Sequence, residues 1–118
     1  MFIKALKGKI HRCRVTGTKI DYPGSVAVDE DMLKASGINV YEEVLLANVT
    51  NGERVETYVV PAPAGSKEFV VLGAAARLFS PGDVVIVMNF AYYSPDEFNA
   101  HKPNVLLCDE QNNFKMLE

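Results

Sequence analysis

Asp21-Tyr22-Pro23-Gly24-Ser25-Val26-Ala27-Val28 is a turn that feeds a strand, and the rest of the chain is organised around it. Pro23 fixes its own φ near −65° and pushes Tyr22 into an extended conformation. Gly24 can take the φ > 0 geometry that residues with a Cβ avoid. Ser25 carries a hydroxyl one peptide bond past that glycine. If the turn holds the peptide strained and its carbonyl polarised, Oγ of Ser25 can attack the Gly24 carbonyl carbon, an N→O acyl shift that turns the amide into an ester. β-Elimination then cuts the chain and leaves dehydroalanine at position 25, which hydrolyses to a pyruvoyl ketone. No unmodified side chain supplies such an electrophile. Pro-Gly-Ser alone is ordinary turn chemistry, so the residues downstream decide.

Composition bounds the rest. The 118 residues suit a single domain, 1–118, with one core. The net charge of −3 argues against a phosphate-binding surface, so no nucleic-acid partner is expected. The longest unbroken apolar run, Val84 to Met88, is far too short for a bilayer, and no membrane partner is expected either. Lys4, Lys7 and Lys9 have no apolar segment behind them, so no export signal is read and a reduced, cytoplasmic setting is the expectation. Cys13 and Cys108 make no metal-ligand pattern, and His11 and His101 lack spaced partners, so no metal is expected.

Short strands separated by Gly, Pro and Asn-Gly signals dominate the chain. Phe2 to Leu6 and Lys9 to Thr16 read as two strands. The second is polar on both faces, with Lys9, His11, Cys13 and Val15 on one side, which suits an edge or a site lining. Ser25 to Val28 is a brief strand, and Asp29 caps a helix over 31–36 that Gly37 closes. Glu43 to Val49 and Arg54 to Val60 flank the Asn51-Gly52 hairpin signal. A loop over 61–66, a strand over 69–72, a Ser80-Pro81-Gly82-Asp83 turn and a core strand over 84–91 follow. Ser94 and Pro95 start a second short helix, and strands over 105–108 and 114–117 close the chain. The pattern is that of a compact, mainly β barrel with small helices.

Few residues can carry chemistry. Arg54 and Tyr58 share one face of their strand, about 13 Å apart; one offers a carboxylate fork and the other a proton. On their own the pair reads as a solvated Arg and a packing Tyr. Thr57 has the opposite parity and joins them only through a bulge or a subunit boundary. Gly73-Ala74-Ala75-Ala76 is a small-residue turn, suited to presenting backbone N–H groups to an anion or to close packing at a barrel corner. Lys9 can sit near a carboxylate or simply face water.

Taken in order, Gly8-Lys9-Ile10-His11-Arg12, Tyr22-Pro23-Gly24-Ser25 and Asn51-Gly52-Glu53-Arg54 with Thr57-Tyr58 resemble the pyruvoyl-dependent aspartate 1-decarboxylase family. Gly73-Ala74-Ala75-Ala76-Arg77, Gly82-Asp83-Val84-Val85-Ile86 and His101-Lys102-Pro103 extend the resemblance over essentially the whole chain. It implies a double-psi β-barrel with two or three short helices, assembled as a homotetramer with active sites at subunit boundaries. It implies self-cleavage at Gly24–Ser25 into a β chain, 1–24, and an α chain, 25–118. Ser25 then becomes a covalent pyruvoyl group that takes the substrate amine as a Schiff base, with neither metal nor pyridoxal phosphate. Tyr58 is implied as proton donor. Thr57, Gly73, Ala74 and Ala75 are implied as substrate contacts, Thr57 also assisting cleavage, and Lys9 and Arg54 as cations for the substrate carboxylates. The implied reaction turns L-aspartate into β-alanine and CO2, feeding pantothenate and coenzyme A.

Two positions depart from the family pattern. Many members carry Asn where Leu72 stands, and an apolar side chain cannot donate the hydrogen bond of an amide. The loop Pro61-Ala62-Pro63-Ala64-Gly65-Ser66 is also less charged than the pattern. Leu72 keeps two alternatives open: an uncleaved barrel paralogue acting as a binding module, and the same chemistry on another amino acid. An accessory maturation protein is a further open partner.

Overall fold

The computed structural model describes residues 1–117. Among these residues nine strands form one mixed sheet in the order β2-β6-β3-β5-β4-β7-β1-β8-β9. They are β1 (Ile3–Arg14), β2 (Gly17–Lys19), β3 (Val26–Asp29), β4 (Glu43–Asn48), β5 (Arg54–Ala62), β6 (Phe69–Leu72), β7 (Val84–Tyr93), β8 (Asn104–Cys108) and β9 (Phe114–Leu117). Two short helices, α1 (Glu30–Ser36) and α2 (Pro95–Ala100), and a 3-10 helix at Gly73–Leu78 fill the connections. The mainly β class with small helices is as expected.

Three strand pairs are parallel: β1 with β8, β2 with β6 and β3 with β5. An up-and-down barrel has only antiparallel neighbours, whereas crossing connections of the psi kind require such pairs. The strand order closes through the chain itself, because β1 runs through Val15 and Thr16 into β2. There the Thr16 N–H and hydroxyl both donate to the Phe69 carbonyl, at 2.8 and 3.2 Å. Ile10, Val26, Val28, Leu46, Val59, Phe69, Val71, Val85, Val87 and Leu106, each 0% exposed, fill the interior. Full burial of such side chains stabilises by about 1.5–3 kcal/mol apiece.

The N-terminal region corrects two expectations. It is one twelve-residue strand and not two. Gly8 is no turn: a Cβ there would lie 2.6 Å from the Ser36 carbonyl oxygen, so Gly8 lets β1 pass against the end of α1. Nor is β1 an edge, since it lies between β7 and β8. Its polar pattern comes from a register shift between Ile10 and Cys13, where Arg12 takes φ 64. The shift turns Ile10, Cys13 and Val15 all inward, although simple alternation puts Ile10 on the other face from the last two.

Local signals held where a specific hydrogen bond carries them. The Asp29 carboxylate accepts the Asp31 N–H at 2.8 Å and Gly37 closes α1 in the left-handed conformation. Ser94 and Glu97 form a reciprocal capping box with Pro95 at the start of α2. The Asn51-Gly52 turn is held by the Gly52 N–H donating to the Asn48 carbonyl at 2.8 Å.

Candidate active site

The Gly24–Ser25 peptide enters β3 in an unfavourable conformation. Gly24 has φ 120 and Ser25, which carries a Cβ, has φ 92. Ser25 is nonetheless 3% exposed. Its main-chain carbonyl accepts the Leu72 N–H at 2.9 Å. The next residue, Gly73, lies against the turn: a Cβ at Gly73 would stand 2.7 Å from Gly24 Cα, 2.9 Å from Gly24 N and 3.0 Å from the Tyr22 carbonyl oxygen. Only a residue without a side chain fits there, and at φ 74 only glycine fits easily. Gly73 is thus a clamp on the strained peptide.

β3 lies between β5 and β6. Val26 pairs with Val59 in parallel and with Val71 in antiparallel register. Continued by one residue, these registers set Ser25 beside Tyr58 on one side and Leu72 on the other. The Leu72 bond and the Gly73 contact bring Gly24, Ser25, Leu72 and Gly73 together, and Tyr58 directly precedes Val59, the partner of Val26. Tyr58 is 39% exposed, and its ring lies 6.2 Å from that of Tyr41. Tyr41, at φ 73 in the connector before β4, had no sequence signal to single it out.

Thr57 faces away from Tyr58, as its parity requires. The β4–β5 register runs without a bulge from Glu43–Tyr58 to Ala47–Arg54, so Arg54 and Tyr58 share the exposed face while Thr57 is half-buried. Ala74 is exposed and Ala75 half-buried at the start of the 3-10 helix. Leu72 is the N-cap of that helix and makes no side-chain cap bond.

Among the described residues, Lys9 and Arg54 have no register pairing with the Ser25 turn. Lys9 lies on β1, three strands from β5 in the order β5-β4-β7-β1, which is about 14 Å at the usual strand spacing. Arg54 begins β5, about 13 Å along the strand from Tyr58. Two residues past Lys9, His11 keeps Nδ1 buried without a hydrogen-bond partner. Burial, then the charges of Lys9 and Arg12, hold its pKa below the ordinary histidine value. His101 is tied to the fold, with Nε2 2.7 Å from the Leu6 carbonyl oxygen and its ring stacked on Tyr93. A cavity of about 270 Å3 lined by Lys4, Glu42, Glu43, Glu56, Asn89 and others contains none of the predicted residues.

Glu42 braces the strand that bears Tyr58. Its main-chain carbonyl accepts the Val59 N–H at 3.2 Å, and its carboxylate meets the Lys7 ammonium at 2.5 Å and the Asn39 N–H at 2.7 Å. Burial pushes the Glu42 carboxyl up, but those bonds outweigh it and leave the pKa below the ordinary value.

Comparison with known proteins defines the class. Residues 1–115 match the profile of a family described as aspartate decarboxylase. An aspartate 1-decarboxylase of Coprothermobacter proteolyticus is 53% identical over 115 residues, covering 98% of this chain and 94% of that one. One from Lactiplantibacillus plantarum is 48% identical, covering 95% and 86%. Among solved structures, a rationally designed protein, mkDPBB_sym_86, overlays with a TM-score of 0.47 at 21% identity, covering 74% of this chain and 96% of its own. End-to-end likeness at this level defines a decarboxylase, a carboxy-lyase on a small, mainly β scaffold. The chain belongs to the aspartate decarboxylase family.

Proposed function

We propose that this chain cuts itself between Gly24 and Ser25 and then removes the α-carboxylate of L-aspartate, releasing CO2 and β-alanine for pantothenate and coenzyme A. The observation that carries the reading is the clamped peptide: left-handed φ at both Gly24 and Ser25, with Gly73 against Gly24. Relief of that strain favours the acyl shift, and Ser25 supplies the hydroxyl that begins it. The site fits a pyruvoyl group at position 25. The residue-25 carbonyl that accepts from Leu72 N–H survives cleavage, so the same bond orients the new group. When formed, the pyruvoyl ketone binds the substrate amine and draws off the electron pair left behind as CO2 departs.

The other roles belong to this chain's own side chains. Tyr58 stands beside position 25 in register and gives its phenolic proton to the substrate α-carbon. Gly73, Ala74 and Ala75 border the substrate and Thr57 assists the cut. Lys9 and Arg54 neutralise the substrate carboxylates. They would act across a subunit boundary in a homotetramer, where a neighbour's β1 or β5 approaches the exposed Tyr58 face. A cytoplasmic setting goes with this biosynthetic role.

An intact-mass time course tests the proposal. One 118-residue species should give way to chains of 24 and 94 residues, and the split material should form β-alanine from aspartate. No splitting on prolonged warm incubation would overturn the cleavage reading and favour a binding barrel. Complete splitting without action on aspartate would overturn the substrate.

A further inference from the structure

Cys13 and Cys108 stand apart from every residue assigned above, and they lie together. Both are buried, at 0% and 5% exposure, and neither is in a disulfide. They lie on the paired strands β1 and β8. The bulge in β1 sets how the two are placed. β1 and β8 run parallel, with Ile10 beside Leu106 and His11 beside Leu107. An unbroken register would set Cys13 beside Asp109, one residue past Cys108. Arg12 at φ 64 absorbs the extra residue, so Cys13 turns into the interior in which Cys108 is also buried. Just beyond, Asn112 fixes the strand end: its Oδ1 accepts the Arg14 N–H at 2.7 Å and its Nδ2 donates to the Arg14 carbonyl at 2.9 Å. Neighbouring strands lie about 4.8 Å apart, inside the Cα separation of roughly 4.4–6.8 Å that a disulfide spans.

The two thiols are not equivalent. Cys108 lines a surface cavity of about 390 Å3 with Leu107, Asp109, Asn113, Phe114 and Lys115. The hydrogen bond from Cys13 holds the Cys108 thiol below its ordinary value against the opposing effect of burial, and Arg14 and Lys67 add to the lowering while Asp109 opposes it. Cys13 is pushed well up by its bond to Cys108 and by burial. Cys108 thus stands at the cavity, with the fully buried Cys13 behind it.

We propose that Cys13 and Cys108 are a disulfide-forming pair, with Cys108 the thiol oxidised by a small hydroperoxide and Cys13 the resolving thiol. The Cys108 thiolate attacks one peroxide oxygen, the O–O bond breaks, and the departing hydroxide takes up a proton as water. Cys108 is then a sulfenic acid. The Cys13 sulfur attacks the Cys108 sulfur, the S–O bond breaks, and the hydroxide leaves with the Cys13 proton as a second water. Two thiols and one hydrogen peroxide become one disulfide and two waters. The disulfide itself does not depend on self-cleavage. Its consequence does: residues 13 and 108 lie on opposite sides of the Gly24–Ser25 bond, so in a cut molecule this bridge rejoins the two chains.

The test treats the purified full chain with hydrogen peroxide, denatures it in a thiol-alkylating reagent and measures intact mass without reductant. The expected product has lost two hydrogens and takes up no alkyl group. If the chain has split, its fragments leave as one linked species that reductant separates; an uncut chain with the same loss supports the pair while counting against self-cleavage. Cys13→Ser should instead stop at a sulfenic acid on Cys108, trapped by a 1,3-dicarbonyl reagent, and Cys108→Ser should leave Cys13 reduced over the same exposure. Two alkylatable thiols per wild-type chain after peroxide, or a disulfide only between copies, overturns the proposal whether or not the variants fold.

Discussion

β3 is four residues long, and the chain at its two ends is held in opposite ways. At the far end, the Asp29 carboxylate, 1% exposed, accepts three main-chain N–H groups: Asp31 at 2.8 Å, Gly65 at 3.1 Å and Lys67 at 2.8 Å. Every bond there lowers the energy of the folded chain. At the near end, Ser25 and Gly24 sit at positive φ, with one main-chain bond to Leu72 and a close contact to Gly73. A strained residue persists only where its surroundings over-determine it, at about 1–3 kcal/mol for a conformation of this kind. The anchored end lets the other end be strained. Stability is concentrated on one side of a short strand and reactivity on the other.

The largest test of that contrast removes the nucleophile from the strained end. Ser25→Ala should abolish both splitting and β-alanine formation, since the methyl side chain has no oxygen to attack the Gly24 carbonyl. Mass spectrometry showing normal splitting of Ser25→Ala would move the electrophile elsewhere. Tyr58→Phe comes next: it should split as the wild type does but lose about 10²–10⁴ in kcat, the usual share of a positioned acid. Steady-state assay of the split variant checks this, and a wild-type kcat would make Tyr58 a packing residue beside Tyr41.

Leu72 sits on the clamp itself. It gives its N–H to Ser25 but leaves the 3-10 helix without a side-chain cap. An Asn there can cap that helix or donate toward the Gly24 carbonyl, and one well-placed donor to an oxyanion is worth roughly 10²–10³ in rate. Leu72→Asn should therefore speed splitting by up to that factor, measured as the half-time of the 118-residue species. Equal half-times would show that Gly73 and strain set the rate and that the missing amide does not.

Much of this contrast is legible in the sequence, though unevenly. Asp29 as a cap, Gly37 as a stop and the Asn51-Gly52 hairpin are local signals, each decided by residues within a few positions. Tyr22-Pro23-Gly24-Ser25 was legible as a turn with a hydroxyl, but its strain was not, because Gly73 lies far along the chain and only the fold presses it on Gly24. The same holds for β2, a three-residue strand that exists through its pairing with β6. Arg12 misled the reading of β1 because a left-handed non-glycine residue leaves no mark in composition or period. Lys9 and Arg54 were legible as cations and not as neighbours of Ser25, because no local signal ties either strand to the turn.

The smallest expected effect probes the anchored end. Asp29→Asn keeps a carbonyl oxygen for the Asp31 and Gly65 N–H groups but turns an NH2 group toward the Lys67 N–H. Two donors then face each other, and Lys67 is itself held at φ 62 by that bond. Losing the partner of a buried donor costs about 1–3 kcal/mol, so the thermal midpoint should fall while the fold persists at room temperature. If the anchor also sustains the strain at Ser25, relaxation should reach the near end along the four residues of β3. Losing about 1.4 kcal/mol of strain slows the acyl shift tenfold. We therefore expect splitting about tenfold slower in Asp29→Asn than in wild type, measured well below the lowered midpoint. A lowered midpoint with an unchanged splitting rate would break the comparison. The strain would then be held by Gly73 and Leu72 alone, and Asp29 would serve the fold without serving the reaction.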